Sequence, residues 1–531
     1  MGVFELSFPT LSIGLFILTL ILYRLVLWPA ESSVATIPGP LLARYSPFWL
    51  ARSAWNGTRS LQVHEAHRTY GKFVRLAPNH VSIADPAAIP IVLGHGTGFL
   101  KSEFYDAFVS IRRGVFNTRD RKEHTRKRKL ISNVFSQKNV LDFTSYVHES
   151  LYLLITRWNA LLDHPSSPSS DLENTETVFD TLPWFNFLAF DIIGALAFGR
   201  PFGMLETGKD AAPIPSSTQN QAEGKEGKYV EAIKVLNERG DVSATLGCLT
   251  PWMRPYAAYH PWFVQRLKSV KHLAGIATAA VSHRLENPPS SDPRDLLSLL
   301  QKGKDGNGNE LGREELIAEA MTQLIAGSDT TSNSSCAIFY YLATNPSTLE
   351  KLQQELDEAL FNLDPSSPSV PTYDDVKSLP YLEAVINEAL RIHCTSGIGL
   401  PRVVPEGGAF VSGTFFKQGT VLSVPTYTVH RDPDIWGDDI EAFRPERWYE
   451  LDKATMHSAF MPFSTGPRGC VGKNLAATEL LLIVSSLAWR YNFQPSIKNQ
   501  TLPVREGFLR KPTECFLKIS RRQHTNTADD P

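Results

Sequence analysis

The chain opens on an apolar stretch with no periodicity. From Leu11 to Trp28 only Ser12, Gly14, Thr19 and Arg24 interrupt it. As a helix these eighteen residues rise about 27 Å, enough to cross most of a bilayer core. Arg24 can reach the interface beside Trp28. A cleaved secretory leader is the other reading. No basic segment precedes the run, whose only early charge is Glu5, and no small-residue cleavage site closes it. Arg24, Arg44 and Arg52 follow the span, so the positive-inside bias puts the body in the cytosol. Ile37-Pro38-Gly39-Pro40 then breaks the helix. Residues 1–36 are thus expected to be a membrane anchor and the Pro-Gly-Pro a hinge.

Beyond the hinge the rhythm becomes helical. Glu314–Ala343 is long, apolar-rich and proline-free, and Leu349–Leu360, Tyr381–Ile392 and Leu475–Leu487 carry helical spacing. Short β-like runs occur at Lys72–Leu76, His80–Ile83, Ala409–Val411 and Thr420–Val424. Stretches rich in Pro, Ser and Gly read as surface loops: 164–171, 208–227, 287–294, 302–309 and 364–371. No repeat at a solenoid or propeller period is present. The pattern predicts a mainly α body with a small β component over 37–521, and a frayed polar tail at 522–531.

Composition narrows the classes. Of 531 residues, 42% are hydrophobic and 20% charged, which excludes a wholly disordered chain and a polytopic membrane protein. Basic and acidic residues nearly cancel, 53 against 55, so there is no global case for nucleic acid or acidic substrates. Five cysteines, Cys248, Cys336, Cys394, Cys470 and Cys515, are scattered without a CxxC pair or zinc spacing. Such usage suits a reducing compartment and leaves each cysteine to be judged alone.

One of them sits in a distinctive setting, Phe463-Ser-Thr-Gly-Pro-Arg468-Gly-Cys470-Val-Gly472. Glycines and a proline make a tight turn, and an apolar helix follows. A cysteine entering a helix N-terminus has its thiolate favoured by free N–H groups and the dipole, and Arg468 adds charge nearby. A buried structural cysteine is the bland alternative, and spacing alone names no metal. Ala326-Gly-Ser-Asp329-Thr330-Thr331 places hydroxyls inside the long helix, where they can bond the i−4 carbonyl and open it. Glu388 and Arg391 form an i,i+3 pair, usually a surface feature. His124 and Arg128 share one face of a basic helix by their i,i+4 spacing.

The cysteine stretch resembles the Phe-x-x-Gly-x-Arg-x-Cys-x-Gly haem-binding signature of the cytochrome P450 superfamily, and the other motifs follow in the family's order. The likeness covers Ile37 to Lys518 and implies a single P450-fold domain. It implies that Cys470 is the iron ligand with Phe463 in its loop, and that Asp329 and Thr330 relay protons to dioxygen. Glu388 and Arg391 should be buried with Arg447, from Pro445-Glu-Arg447-Trp, to fix the cysteine loop. His124, standing where the family usually has tryptophan, is expected to bond the haem propionates with Arg128, Arg402 and Arg468. Arg121, Arg126, Lys127 and Lys129 would then face outward toward an acidic electron donor.

Within the superfamily, residues 98–110, 116–120, 242–248 and 506–512 resemble the fungal benzoate 4-monooxygenase family. Arg112 and Ser396-Gly397-Ile398 depart from it. The likeness implies a haem-thiolate monooxygenase that para-hydroxylates benzoate to 4-hydroxybenzoate with one atom of O2. No flavin or nicotinamide fingerprint is present, so NADPH electrons are expected through a cytochrome P450 reductase, with cytochrome b5 as a further donor. A single-pass protein of the endoplasmic reticulum membrane follows. A buried substrate carboxylate needs a cation; Arg113 is the first choice and Tyr105 the second. Competing readings are another aromatic or secondary-metabolite substrate, a haem-thiolate isomerase or dehydratase, and a non-catalytic haem protein.

Overall fold

The computed structural model describes residues 34–164, 176–214, 228–287, 295–304 and 310–523, with Phe16, Thr19 and Gly308. Apart from Phe16, Thr19 and 34–36, the expected anchor at 1–36 lies outside the described residues, as do 524–531 of the tail. Among the described residues no helix is long and apolar enough to cross a membrane.

Helices dominate. Those used below are α1 (Arg121–Val134), α2 (Thr144–Asp163), α3 (Leu182–Phe198), α4 (Ala232–Cys248), α5 (Pro261–Glu286), α6 (Arg313–Thr344), α7 (Pro346–Ala359), α8 (Pro380–His393) and α9 (Lys473–Arg490). Their boundaries follow local chemistry. Pro346 and Pro380 occupy the first turns of α7 and α8, where a missing N–H costs nothing. The predicted starts at Leu349 and Tyr381 are late because periodicity ignores such prolines. Glu314 and Glu315 sit in the first turn of α6, favourably placed for its dipole.

Helix α6 runs through the centre, against α3, α5, α8 and α9. Phe339 of α6 stacks on Phe185 of α3 with centroids 5.4 Å apart. Gly327 of α6 lets Ile193 of α3 approach: a Cβ there would lie 2.8 Å from Ile193 Cδ1. Close packing accounts for this glycine, and the helix assignment stays unbroken through it.

A five-stranded sheet forms a second layer, in the order 73–77, 80–83, 421–423, 402–403, 100–101. Its last pair matters to the site, for Lys101 stands directly opposite Arg402. A smaller sheet joins 491–495, 516–521 and 177–180. The predicted loop at 208–227 is strand at one edge, since Ala212–Ile214 pairs with Lys228–Val230.

Candidate active site

The cysteine loop is held by its own backbone. Cys470 N–H donates to Phe463 O at 2.8 Å, and Gly469 N–H to Gly466 O at 3.0 Å. Gly466 has φ +70°, and a Cβ there would lie 1.8 Å from Leu93 O, so only glycine fits. Cys470 has exposed surface, but that surface opens into a cavity also lined by Phe463, Arg468, His124, Arg128, Asp329 and Thr330. Burial raises its thiol pKa, offset in part by the Gly472 N–H and the Arg128 charge. Arg468, expected to supply that charge, instead donates to Thr118 O at 2.7 Å and Arg119 O at 3.1 Å.

One side of the cavity gathers cations. His124 and Arg128 project from α1, and Arg128 Nη1 donates to Gly469 O at 2.6 Å. Lys101 also lines the cavity, over the Tyr105 ring at 4.8 Å. Its pKa is pushed well below the usual lysine range by burial, then by Arg402, Arg468 and Arg128. Burial holds His124 at about 3, helped by Arg468 and Lys101. Arg468 falls to about 10 through burial and Arg402. Like charges placed opposite one another in a sheet repel, yet Lys101 and Arg402 are so placed; Arg402 itself is not among the cavity's lining residues, its Nη1 donating to Tyr105 Oη at 2.6 Å. A dianionic group at this wall would relieve the cluster. The donor set therefore fits the two carboxylates of a haem, with Cys470 as the sulfur donor. Lys101 was overlooked in the sequence, where a lone lysine after Gly98-Phe-Leu carries no signal.

Across α6 the polar positions are bonded as their chemistry dictates. Ser328 Oγ donates to Leu324 O at 2.6 Å, and Thr330 Oγ1 to Ala326 O at 2.7 Å. Asp329 is ion-paired with Lys511 at 2.5 Å and accepts from Asn333 Nδ2 at 3.2 Å. Lys511 also donates to Asn237 Oδ1 at 2.6 Å. Thr331 Oγ1 donates to Glu479 Oε2 of α9 at 2.8 Å. Glu479 lines the cavity, and burial lifts its pKa to about 7. As the one charge in the apolar run 475–487, it could have been found.

Behind the loop, Glu388 takes Arg391 Nε and Nη2, both at 2.9 Å, and Arg447 Nε at 2.7 Å. Trp448 Nε1 and the Arg444 N–H complete its shell, at 3.1 and 3.2 Å. Arg391 also donates to His430 O at 2.9 Å. His430 Nε2 accepts the Met461 N–H at 3.0 Å, two residues before Phe463. Burial holds His430 at about 3, hence neutral and able to accept. This histidine, unremarked in the sequence, connects the charge cluster to the cysteine loop.

Three expectations change. Lys127 does not face outward: its side chain is 3% exposed, bonding Glu315 and, at 3.3 Å, Glu319 of α6. Arg126 turns the same way, to Glu123 and Glu315. Two acids on α6 draw them in, leaving Arg121 and Lys129 as the exposed cations of the expected patch. Arg113 is not among the cavity's lining residues; it pairs with Asp106 at 2.7 Å on a half-exposed side chain. Tyr105 is buried with its hydroxyl accepting from Arg402 Nη1 at 2.6 Å, and does not line the cavity either.

A cysteine loop before an apolar helix, a cation wall for a dianion and a central helix bearing an acid and an alcohol define a haem-thiolate oxygenase site. The chain belongs to the cytochrome P450 family, whose sequence model, "Cytochrome P450", matches residues 38–519. It is a P450 monooxygenase, using haem, O2 and electrons from a redox partner. It is 49% identical over 514 residues to "Benzoate 4-monooxygenase bphA" of Aspergillus niger, covering 95% of this chain and 96% of that one. "Cytochrome P450 monooxygenase cicH" of Emericella nidulans is 30% identical over 525 residues, 96% and 98% of the two chains. "Cytochrome P450 monooxygenase poxM" of Penicillium oxalicum is 30% identical over 482 residues, 91% and 87%.

Proposed function

We propose that this P450 hydroxylates benzoate at the para carbon, giving 4-hydroxybenzoate. The observation that carries the reading is an aromatic box in the wall of the cavity that Cys470 lines. Phe508 meets Phe108 at 4.8 Å and 65°, and Phe116 at 5.4 Å and 71°. Such tilted edges suit a flat ring. The relative named benzoate 4-monooxygenase supports the same substrate.

In this reading Cys470 would supply the thiolate that holds the haem iron, and His124, Arg128, Arg468 and Lys101 would hold the propionates, with Arg402 paired across the sheet from Lys101 adding its charge. When bound, a thiolate-ligated haem supplies the oxygen-activating chemistry. The chain's own residues do the rest. Asp329, held by Lys511, takes protons from the side of the C-terminal hairpin, in which 504–506 pairs antiparallel with 510–512; Thr330 passes them on from Oγ1. Phe108, Phe116 and Phe508 exclude water and orient the ring. Glu388, Arg391 and Arg447 keep the cysteine loop rigid through His430. Electrons arrive from NADPH through a cytochrome P450 reductase, with cytochrome b5 as a further donor, docking near Arg121 and Lys129. The apolar run at 11–28 anchors the enzyme in the endoplasmic reticulum membrane with its body in the cytosol.

The test is turnover of the holoenzyme with reductase, NADPH and benzoate. 4-Hydroxybenzoate is the expected product; none, or hydroxylation at another carbon, overturns the reading. Cys470→His should abolish the long-wavelength Soret band of the reduced carbon monoxide complex, and survival of that band refutes the ligand assignment.

A further inference from the structure

Arg239 of α4 lines the cavity with only 6% of its surface exposed. Buried guanidinium groups in proteins are paired, since an isolated buried charge is costly. Arg239 makes no ion pair among the described residues. Its Nη2 donates to Phe108 O at 3.0 Å, and its Nε meets no protein partner. The carboxylate whose charge it feels is Asp329, which is already paired with Lys511 at 2.5 Å. Burial pulls its pKa down to about 10, against the pull of the Asp329 charge.

The neighbours define what could compensate it. Asn117 Nδ2 donates to the same Phe108 carbonyl at 2.9 Å, which sets amide and guanidinium side by side. Phe108, of the aromatic box, flanks the position, with the Arg239 Cζ 5.8 Å from its ring centroid, and Phe508 packs on Phe108 at 4.8 Å. Among buried lining atoms without a partner, Arg239 Nε and Gln323 Nε2 are donors and Asn117 Oδ1 is an acceptor. A fixed cation with spare donors beside an aromatic box matches an aromatic ring that carries an anion. We infer that Arg239 is the anchor for the carboxylate of an aromatic-acid substrate, a specificity residue in the role expected of Arg113. The inference rests on the aromatic-acid reading above and sharpens it.

The experiment titrates holoenzyme with benzoate and with its uncharged methyl ester, reading the Soret shift, for the parent, Arg239→Gln, Arg239→Lys and Arg113→Leu. Glutamine keeps an N–H for the Phe108 carbonyl but removes the charge. Arg239→Gln should weaken benzoate on the order of 30-fold or more, as for loss of a buried charge partner, and leave the ester unchanged. Lysine should restore part of the loss, and Arg113→Leu should match the parent. Retained ester binding certifies the variant's fold. Equal losses for both ligands, no loss, or a fall in haem content would overturn the anchor. If the parent ignores benzoate but takes other aromatic carboxylates through Arg239, the benzoate reading falls and the anchor stands. If the parent takes only uncharged ligands, both fall.

Discussion

The cluster behind the cysteine loop and the α4 wall of the cavity are built from the same kinds of group but complete them differently. Arg391 and Arg447 have fully buried side chains, and their Glu388 is buried with them. Every lone pair of that carboxylate faces a donor: two guanidinium groups, an indole and a backbone N–H. Arg239 is almost as buried, yet it has one carbonyl and an unpartnered Nε. Both arrangements cost desolvation; only the first recovers it within the protein. The closed shell lies behind the cysteine loop and the open one lines the cavity, where a ligand can complete it.

The largest effect should come from opening the closed shell. Glu388→Ala leaves Arg391 buried without a carboxylate and Arg447 with Asp439 alone, at 3.0 Å, which should destabilise the protein by about 3–5 kcal/mol. The denaturant midpoint of the holoenzyme would fall, and haem would be lost early in the transition, because His430 transmits the disorder to Met461. A loss under about 1 kcal/mol, the scale of an exposed pair, would break the comparison.

Glu479 is an intermediate case, a buried carboxylate with a single hydroxyl partner. Its folded pKa, about 7, lies above the ordinary 4.5 because burial disfavours the charge. The sign follows: its contribution is complete below pH 4.5 and is lost as pH rises toward 7. Over that window the loss is on the order of 3 kcal/mol. Glu479→Gln should remove this component, so the stability difference between variant and parent should grow with pH. A pH-independent difference would show that Glu479 is charged throughout.

A smaller effect concerns the acid-alcohol pair, where Asp329 has a closed shell and Thr330 only a helix carbonyl. Thr330→Ala should cut product per NADPH by about tenfold or more, within what positioned proton transfer contributes. Reductant consumption should continue, with peroxide as the balance, and Thr330→Ser should restore much of the coupling. Parallel losses of product and NADPH consumption without peroxide would remove Thr330 from the relay.

What the sequence made legible divides along the same line. Local patterns gave Arg313–Thr344 to within a residue at each end and the strand His80–Ile83 outright, because burial periodicity is written into neighbouring residues. The cysteine loop was legible because glycines at fixed spacing have a steric cause, as Gly466 against Leu93 demonstrates. Long-range pairing was not. Lys127 reads as one more basic residue until α6 brings Glu315 and Glu319 against it. Arg239 lies in Asn-Glu-Arg-Gly-Asp, which reads as a solvated face; only the approach of the 103–117 segment and the C-terminal hairpin buries it. His430 gains its meaning from Met461, thirty-one positions on.

The smallest effect is the most discriminating. A residue that holds the fold together loses stability when replaced, whereas one held in an uncompensated state for a ligand does not. Arg239→Gln removes a buried charge while keeping one hydrogen bond to Phe108 O. Without substrate, its stability should lie within about 1 kcal/mol of the parent or above it, since the desolvation relieved offsets the packing lost. Saturating benzoate at about 100 times the parent's Kd should stabilise the parent by about 2.7 kcal/mol and Arg239→Gln by under about 1 kcal/mol. Methyl benzoate should shift both proteins alike. If Arg239→Gln instead falls by the 3–5 kcal/mol typical of a broken buried pair, the α4 wall is structural and the contrast with the Glu388 cluster fails.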